Sequence, residues 1–273
     1  KTESVDVMDA VGTNIRVDSR GREVMRVLPR LNEWINEEWL ADKSRNACDG
    51  LKYQRLDQPY VRRDGKLQPA EWSEAFDAIA AKLDGVDGQK IGALVGDTVD
   101  CESTLALKDL MAGLGSPNTD CRQDGAAVDP KVRASYLFNT TIAGIEEADA
   151  ILLIGTNPRK EAPILNARIR KRFVAGGVKI GVIGDGADLT YDYDHISDTA
   201  DAVAKIADGS HPFAQVLKDA ERPMLVLGMG ALTRADSDAI LGAGYAIAES
   251  TGMVSGDWNG FNVLHTAAAR VGA

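Results

Sequence analysis

The stretch from Ala148 to Arg172, ADAILLIGTNPRKEAPILNARIRKR, constrains the fold more than any other part of the chain. Ile151 to Ile154 is a short continuous apolar run, the pattern of a parallel strand covered on both faces. Gly155-Thr156-Asn157-Pro158 breaks it, because glycine permits unusual φ and proline ends a ladder. A basic amphipathic helix follows, with Leu165, Ile169 and Phe173 on one face. The turn between them is either a nucleotide cradle or only a turn, and its pattern leaves both open.

The same alternation runs through the second part of the chain. From Pro69 the period becomes helical, with Trp72, Ala75, Phe76, Ile79, Ala80 and Leu83 on one face and Pro69 near the first turn. Ile91 to Val95 reads as a strand. Asp100 is placed to cap a helix that buries Leu107, Leu110, Met111 and Leu114 and stops at Gly115. Strands are expected at Lys179 to Ile183 and Met224 to Leu227. Helices are expected over Thr199 to Ala207, Phe213 to Ala220 and Ala235 to Ser250. The expected fold class is α/β, with mostly parallel sheets and helices on both faces.

Residues 1–68 read differently. Asn14 to Val17 and Glu23 to Leu28 are β-prone, and Asp18-Ser19-Arg20-Gly21 between them is turn chemistry, so a hairpin is expected. Trp34 to Trp39 is expected to form a helical turn. The chain therefore divides into a small β-containing module, 1–68, and an α/β region, 69–273.

Composition excludes several classes. A net charge of −10 argues against nucleic acid as a partner. No apolar run is long enough for direct membrane insertion, and no signal peptide pattern opens the chain. The three cysteines, Cys48, Cys101 and Cys121, make no disulfide framework and point to a reducing compartment, with Cys101 and Cys121 read as small buried thiols. The chain opens on Lys1 rather than Met and is read as a fragment of a longer polypeptide.

Candidate chemistry is sparse. Gly155-Thr156-Asn157-Pro158, Gly184-Asp185-Gly186 and Gly228-Met229-Gly230 all follow strands, where open α/β sheets bind ligands. None completes G-x-G-x-x-G, there is no P-loop, and Gly184-Asp185-Gly186-Ala187-Asp188 is acidic, which opposes phosphate. His195, His211 and His265 are isolated, and Asp192-Tyr193-Asp194-His195 is read as a polar loop rather than a metal site. No nucleophile motif occurs. Arg168, Arg170, Lys171 and Arg172 are read as a solvated helix face, with a docking surface for an acidic partner segment as the alternative.

The motifs are more specific together than singly. Asp6-Val7-Met8-Asp9-Ala10-Val11-Gly12 leads into Arg20-Gly21-x-Glu23-Val24-Met25-Arg26-Val27-Leu28-Pro29-Arg30, then Ile35-Asn36-Glu37-Glu38-Trp39 and Asp49-Gly50-Leu51-Lys52. Asn139-Thr140-Thr141-Ile142-Ala143-Gly144, the Gly155–Arg159 turn and Asn166-Ala167-Arg168-Ile169-Arg170-Lys171 follow. Asp188-Leu189-Thr190-Tyr191, Gly209-Ser210-His211-Pro212-Phe213 and Ser255-Gly256-Asp257-Trp258-Asn259 complete the set. This combination resembles, over essentially the whole chain, the large peripheral-arm subunits of the proton-pumping NADH:quinone oxidoreductases (respiratory complex I) of the alphaproteobacterial and mitochondrial type. Those subunits are themselves similar to molybdopterin oxidoreductases.

The resemblance implies a molybdopterin-oxidoreductase-like α/β region behind a remnant of an iron–sulfur module. It implies 2Fe–2S and 4Fe–4S clusters upstream of Lys1, other peripheral-arm subunits as partners, and a peripheral place on the cytoplasmic or matrix side of the inner membrane. Within this chain it implies a catalytically silent structural region with no cofactor of its own: catalytic residues none, cofactor-binding residues none, metal ligands none. Two departures support that. Where the molybdopterin family has the last cysteine of a 4Fe–4S cluster, this chain has Ala41, and Cys48 is out of register. Where molybdenum enzymes place a metal ligand after a stretch like Asn118-Thr119-Asp120-Cys121, this chain has Arg122-Gln123-Asp124-Gly125-Ala126. The alternative is a fragment of an active molybdopterin-dependent oxidoreductase, in which Asn157 and the following helix N-terminus contact a guanine dinucleotide. A free-standing nucleotide-binding module is the third reading, with no saturable binding of GTP or NADH expected.

Overall fold

The computed structural model describes all residues, 1–273. Three antiparallel strands open it: β1 (Thr2–Val5), β2 (Asn14–Arg20) and β3 (Glu23–Pro29), in the order β1-β2-β3. The expected hairpin forms, but β2 runs through Arg20, and the turn is Gly21-Arg22 with Gly21 at φ 61°. Asp18 stays in the strand because its carboxylate pairs with Arg16 and Arg26. Trp34 to Trp39 is not helical: Asn32 and Glu37 bridge across a turn, and the buried Asn36 amide donates to the Arg30 carbonyl at 2.9 Å. A short helix, α1 (Asp42–Asn46), continues into a 3₁₀ turn, and Ile15, Val27, Leu40 and Cys48 make a small core.

The hairpin β4 (Tyr60–Arg63) and β5 (Lys66–Pro69) leads into α2 (Trp72–Leu83), started by a Glu71/Glu74 capping box. The period is right, but the burial is not: α2 buries no residue, and Trp72 is 64% exposed. Its substantial contact is with β4 of the hairpin, and the central sheet does not pack against its apolar face, which stays exposed at Trp72, Phe76 and Ile79. The next strand, β6 (Ala93–Leu94), is shorter than expected and pairs in parallel with β7 (Thr119–Asp120). Between them α3 (Cys101–Gly113) is capped by Asp100, which accepts from the Ser103 N–H at 2.6 Å. Gly115 stops it: Ser116 N–H bonds the Met111 carbonyl and Gly115 N–H bonds Ala112, a Schellman closure. Of its apolar residues Met111 is buried, while Leu110 and Cys101 face solvent because a two-stranded sheet cannot cover the whole stripe.

The centre is a five-stranded parallel sheet. Its strands are β8 (Ala150–Ile154), β9 (Lys179–Ile183), β10 (Asp194–Ser197), β11 (Pro223–Gly228) and, past the short hairpin β12 (Val254–Ser255)–β13 (Trp258–Asn259), β14 (Phe261–Leu264). The order is β10-β9-β8-β11-β14. The helices are α4 (Pro158–Glu161), α5 (Pro163–Ala175), α6 (Asp201–Ala207), α7 (Pro212–Asp219), α8 (Met229–Leu232) and α9 (Ser237–Ser250).

Alternation along β8 and β11 explains the continuous apolar runs. Leu152, Ile154, Leu225 and Leu227 point into one core with Phe213, Leu217, Ile206 and Ile247. Ile151, Leu153, Met224 and Val226 point into the other with Leu165, Ile169 and Leu189. Burial of a side chain of this size is worth about 1.5–3 kcal/mol, so the two filled faces make this sheet the stable centre.

Several motif residues are joints of this fold. Tyr191 donates to Asn166 at 2.9 Å and Asn166 donates to the Leu189 carbonyl, and burial pushes the Tyr191 phenol up. The Trp258 indole donates to the Pro223 carbonyl at 2.8 Å. His211 caps α7, its Nδ1 accepting from the Phe213 N–H at 3.1 Å. Asp194 and His195, read from sequence as loop, begin the edge strand β10. Parallel pairing to Gly181 and Val182 overrides their polarity, as an edge strand allows.

Candidate functional site: the crevice at the sheet reversal

From β8 the chain winds outward to β9 and β10, and from β11 it winds the other way to β14. Ligands of open α/β sheets bind at the carboxyl ends of the strands flanking such a reversal. Here those ends carry the Gly155–Pro158 and Gly228–Gly230 turns. A crevice of about 1010 Å³ opens there, lined by Gly155, Thr156, Asn157, Arg159, Lys160, Glu161, the Gly184–Asp188 segment, Asp198, Gly230 and Arg234. All three glycine turns of the sequence converge on this region.

Pro158 is the first residue of α4, and Pro163 the first of α5. Proline pushes the residue before it out of the helical region, so Ala162, at φ −144° and ψ 73°, splits one helix into two. The split places Glu161 at the end of a single turn whose carboxylate folds back on the Gly155–Pro158 loop. Thr156 Oγ1 donates to Glu161 Oε2 at 2.7 Å, and Asn157 N–H donates to Glu161 Oε1 at 2.8 Å. Asn157 Oδ1 is buried without a partner.

The arginines at the rim are engaged. Arg159 pairs with Asp188 at 2.6 Å, which holds the Asp188 carboxyl below its usual range, and Arg234 pairs with Asp236 at 2.7 Å. His195 Nε2 lies 2.9 Å from the Gly184 carbonyl and 3.1 Å from Asp198.

The small module reaches this loop from below. Lys43 donates to the Glu161 carbonyl at 2.8 Å and sits 3.3 Å from Asp9, which is 1% exposed. Burial raises the Asp9 carboxyl above its ordinary value, and the Lys43 charge only partly offsets this. A raised carboxyl favours the fold at low pH and costs stability as pH rises through its folded value. Removing the lysine enlarges that cost. Lys43→Met is expected to lower stability by about 2 kcal/mol at pH 7, with a smaller deficit near pH 4, read from denaturant melts at the two pH values.

Arg168 does not lie on a solvated face. It is 4% exposed and holds Glu146, Glu37 (3.2 Å) and the carbonyls of Glu33 and Ile35 (3.2 Å). The solvated-face reading therefore fails at Arg168, whose partners all lie within this chain.

The proposed ligand positions are dispersed. Ala41 is buried at the start of α1, and Cys48 lies in the small core donating to the Arg45 carbonyl at 3.7 Å. Cys121 is half-buried and Cys101 exposed, so burial of both thiols is not what the fold gives. Asp124 accepts from the Ala126 N–H and from Arg270 at 3.0 Å. Burial raises its carboxyl, and these partners more than offset it, holding it low. No three His, Cys, Asp or Glu side chains gather as a metal site would require.

A family model described as Molybdopterin oxidoreductase matches residues 55–273. The chain belongs to the molybdopterin oxidoreductase family. A second model, described as the NADH-ubiquinone oxidoreductase NDSU1/NuoG-like 4Fe-4S domain, matches residues 1–49 of this family member. Its similarity to individual proteins runs over the whole chain. It is 46% identical over 273 residues to the mitochondrial NADH dehydrogenase [ubiquinone] iron-sulfur protein 1 of Solanum tuberosum, covering 100% of this chain and 37% of that protein. It is 48% identical over 271 residues to an NADH-quinone oxidoreductase subunit of Rickettsia felis, covering 99% and 40%. The chain thus spans well under half the length of these relatives.

Among solved structures, acetylene hydratase from Pelobacter acetylenicus superposes with a TM-score of 0.53 at 16% identity, over 95% of this chain and 38% of that one. That likeness shows a shared fold, which with the family match is molybdopterin-oxidoreductase-like.

Sequence reading missed Glu161 and Lys43. For Glu161 a signal was present: an acidic residue one turn after Asn157-Pro158 is a helix-start pattern. For Lys43 there was none, because its partners, Asp9 and the Glu161 carbonyl, lie 34 and 118 positions away.

Proposed function

We propose that this chain is a non-redox structural part of the large peripheral-arm subunit of an NADH:quinone oxidoreductase. It braces the cluster-bearing part of the polypeptide against the α/β region and carries no catalytic, cofactor-binding or metal-ligating residue itself. The observation that carries this reading is the match to NADH-quinone oxidoreductase subunits over 99–100% of the chain. The site chemistry supports it: a buried alanine stands at the cluster-ligand position, Asp124 is bound by Arg270, and the motif residues Asn166, Tyr191, His211 and Trp258 act as joints.

The division into residues 1–68 and 69–273 belongs to the same proposal. So do 2Fe–2S and 4Fe–4S clusters elsewhere in the polypeptide, contacts with other peripheral-arm subunits, and a place on the cytoplasmic or matrix side of the inner membrane. No helix is long and apolar enough to cross a membrane.

Elemental analysis tests the reading. After growth with iron and molybdate, the 273-residue chain is expected to contain neither metal, and the full-length polypeptide to contain iron without molybdenum or tungsten. Stoichiometric molybdenum or tungsten in either preparation overturns it.

A further inference from the structure

We infer that the crevice at the sheet reversal no longer fits the pterin dinucleotide its fold family implies, and that Glu161 is the residue that closes it, acting as a built-in anion. The inference deepens the structural reading above and rests on it.

Three independent features disagree with a dinucleotide. The first is the hydrogen-bond inventory of the turn. Phosphate at a strand–turn–helix is held by free N–H and O–H donors. The Asn157 N–H and the Thr156 hydroxyl are such donors, and both already bond the two oxygens of one carboxylate, at 2.8 and 2.7 Å. A phosphate arriving there would have to expel Glu161.

The second is how the glycines are used. In dinucleotide folds, glycines let backbone approach the ligand. Here they let one turn approach the other. A Cβ on Gly228 would lie 2.4 Å from Thr156 Cβ, and one on Gly230 would lie 2.6 Å from the Gly155 carbonyl oxygen. A Cβ on Gly155 would lie 2.4 Å from the Ala231 nitrogen. The space that glycine frees is already filled by this chain.

The third is charge. Asp185, Asp188, Asp198 and Glu161 line the opening against Arg159, Arg234 and Lys160. The two arginines are held by Asp188 and Asp236, which leaves the exposed Lys160 as the lining cation without an ion pair. The rim offers an incoming polyphosphate little net attraction.

Glu161 also bears on the rest of the fold, because the same residue whose side chain closes the turn gives its carbonyl to Lys43 of the small module. The former ligand seat has become a joint between the two parts of the chain. Glu161 is therefore a positioning residue, and its loss should be rescued by an external anion that takes its place.

The test is anion rescue, read as Tm and by calorimetric titration with inorganic pyrophosphate and GDP. Wild type is expected to show no saturable response. Glu161→Ala is expected to melt about 3–6 °C lower. Its Tm should climb back with pyrophosphate, half-saturating on the order of 1 mM. A merely structural glutamate would give the lower Tm without the rescue. Glu161→Gln, which keeps one acceptor oxygen, provides the same reading at smaller amplitude should the alanine variant not fold. A rise in wild-type Tm equal to that of the variant overturns the inference, and so does a folded variant that ignores pyrophosphate. Neither outcome touches the metal analysis on which the structural reading stands or falls.

Discussion

Arg168→Met is expected to destabilise the chain by about 3–4 kcal/mol, seen as a fall in Tm of roughly 10 °C. Arg168 is the buried link between the small module and α5. Its guanidinium serves two carboxylates, Glu37 and Glu146, and two backbone carbonyls, Glu33 and Ile35. Methionine fills similar volume, so the loss is electrostatic rather than a cavity. Lys171 stays beside both carboxylates, at 2.5 Å from Glu37 and 3.0 Å from Glu146, but it is half exposed and cannot reach the carbonyls.

The pH profile supplies the control. Burial raises the Glu146 carboxyl, but Arg168 and Lys171 outweigh burial and hold it low. A carboxyl lowered in the fold stabilises above its unfolded value, near 4.5, and that stabilisation is lost as pH falls through the folded value. Hydrogen bonds to Glu37 and Glu146 raise Lys171, whose contribution is present below its unfolded value and is lost as pH rises through the folded one. Wild-type stability should therefore fall off on the acid side of pH 4.5. The variant should show a shallower acid limb, because less of Glu146's stabilisation remains to be lost. Adding Glu146→Gln to Arg168→Met should restore part of the loss, since it removes one of the two carboxylates that Lys171 alone is left to balance. An acid limb of unchanged slope in the single variant would show that Arg168 acts through packing alone.

What the sequence made legible follows from which interactions are local. β8, β9 and β11 are apolar runs bounded by turn residues, and they could be read because both their faces are buried. β14 could not. Its centre is Asn262, fully buried, which accepts from the Thr140 N–H and hydroxyl and donates to the Leu225 carbonyl. A polar residue satisfied by distant partners looks like a loop in one dimension. Arg168 failed the same way. Three residues after Leu165, it sits on the flank of the buried stripe, and only the module folded against it shows that its charge is used.

The α2 face failed in the opposite direction. Periodicity gave the helix correctly, but period says which residues share a face, not whether anything covers it. At the crevice, the glycine turns were visible and their purpose was not, because glycine near a ligand and glycine near another turn have the same sequence pattern.

That ambiguity is resolved at Gly155, where Gly155→Ala should cost about 4 kcal/mol and lower Tm by roughly 8–16 °C. Two costs combine. The residue sits at φ 60°, where a Cβ meets the following carbonyl oxygen, worth about 1–2 kcal/mol. The new methyl would also lie 2.4 Å from the Ala231 nitrogen and 2.6 Å from its Cβ. Backbone cannot swing aside as a flexible side chain can, so β8 and β11 must separate at the reversal. Gly115→Ala isolates the first cost. Gly115 has φ 68° at the close of α3, and a Cβ there meets nothing within 4 Å. It should lose only about 1 kcal/mol. The difference between the two variants measures how tightly the two turns are packed. If the reversal were a roomy ligand seat, Gly155→Ala would cost no more than Gly115→Ala and a dinucleotide would still find space. If it is a joint, the two values separate by several kcal/mol, and pyrophosphate should leave the Gly155→Ala deficit unchanged, because an anion can replace a missing carboxylate but cannot relieve a backbone clash.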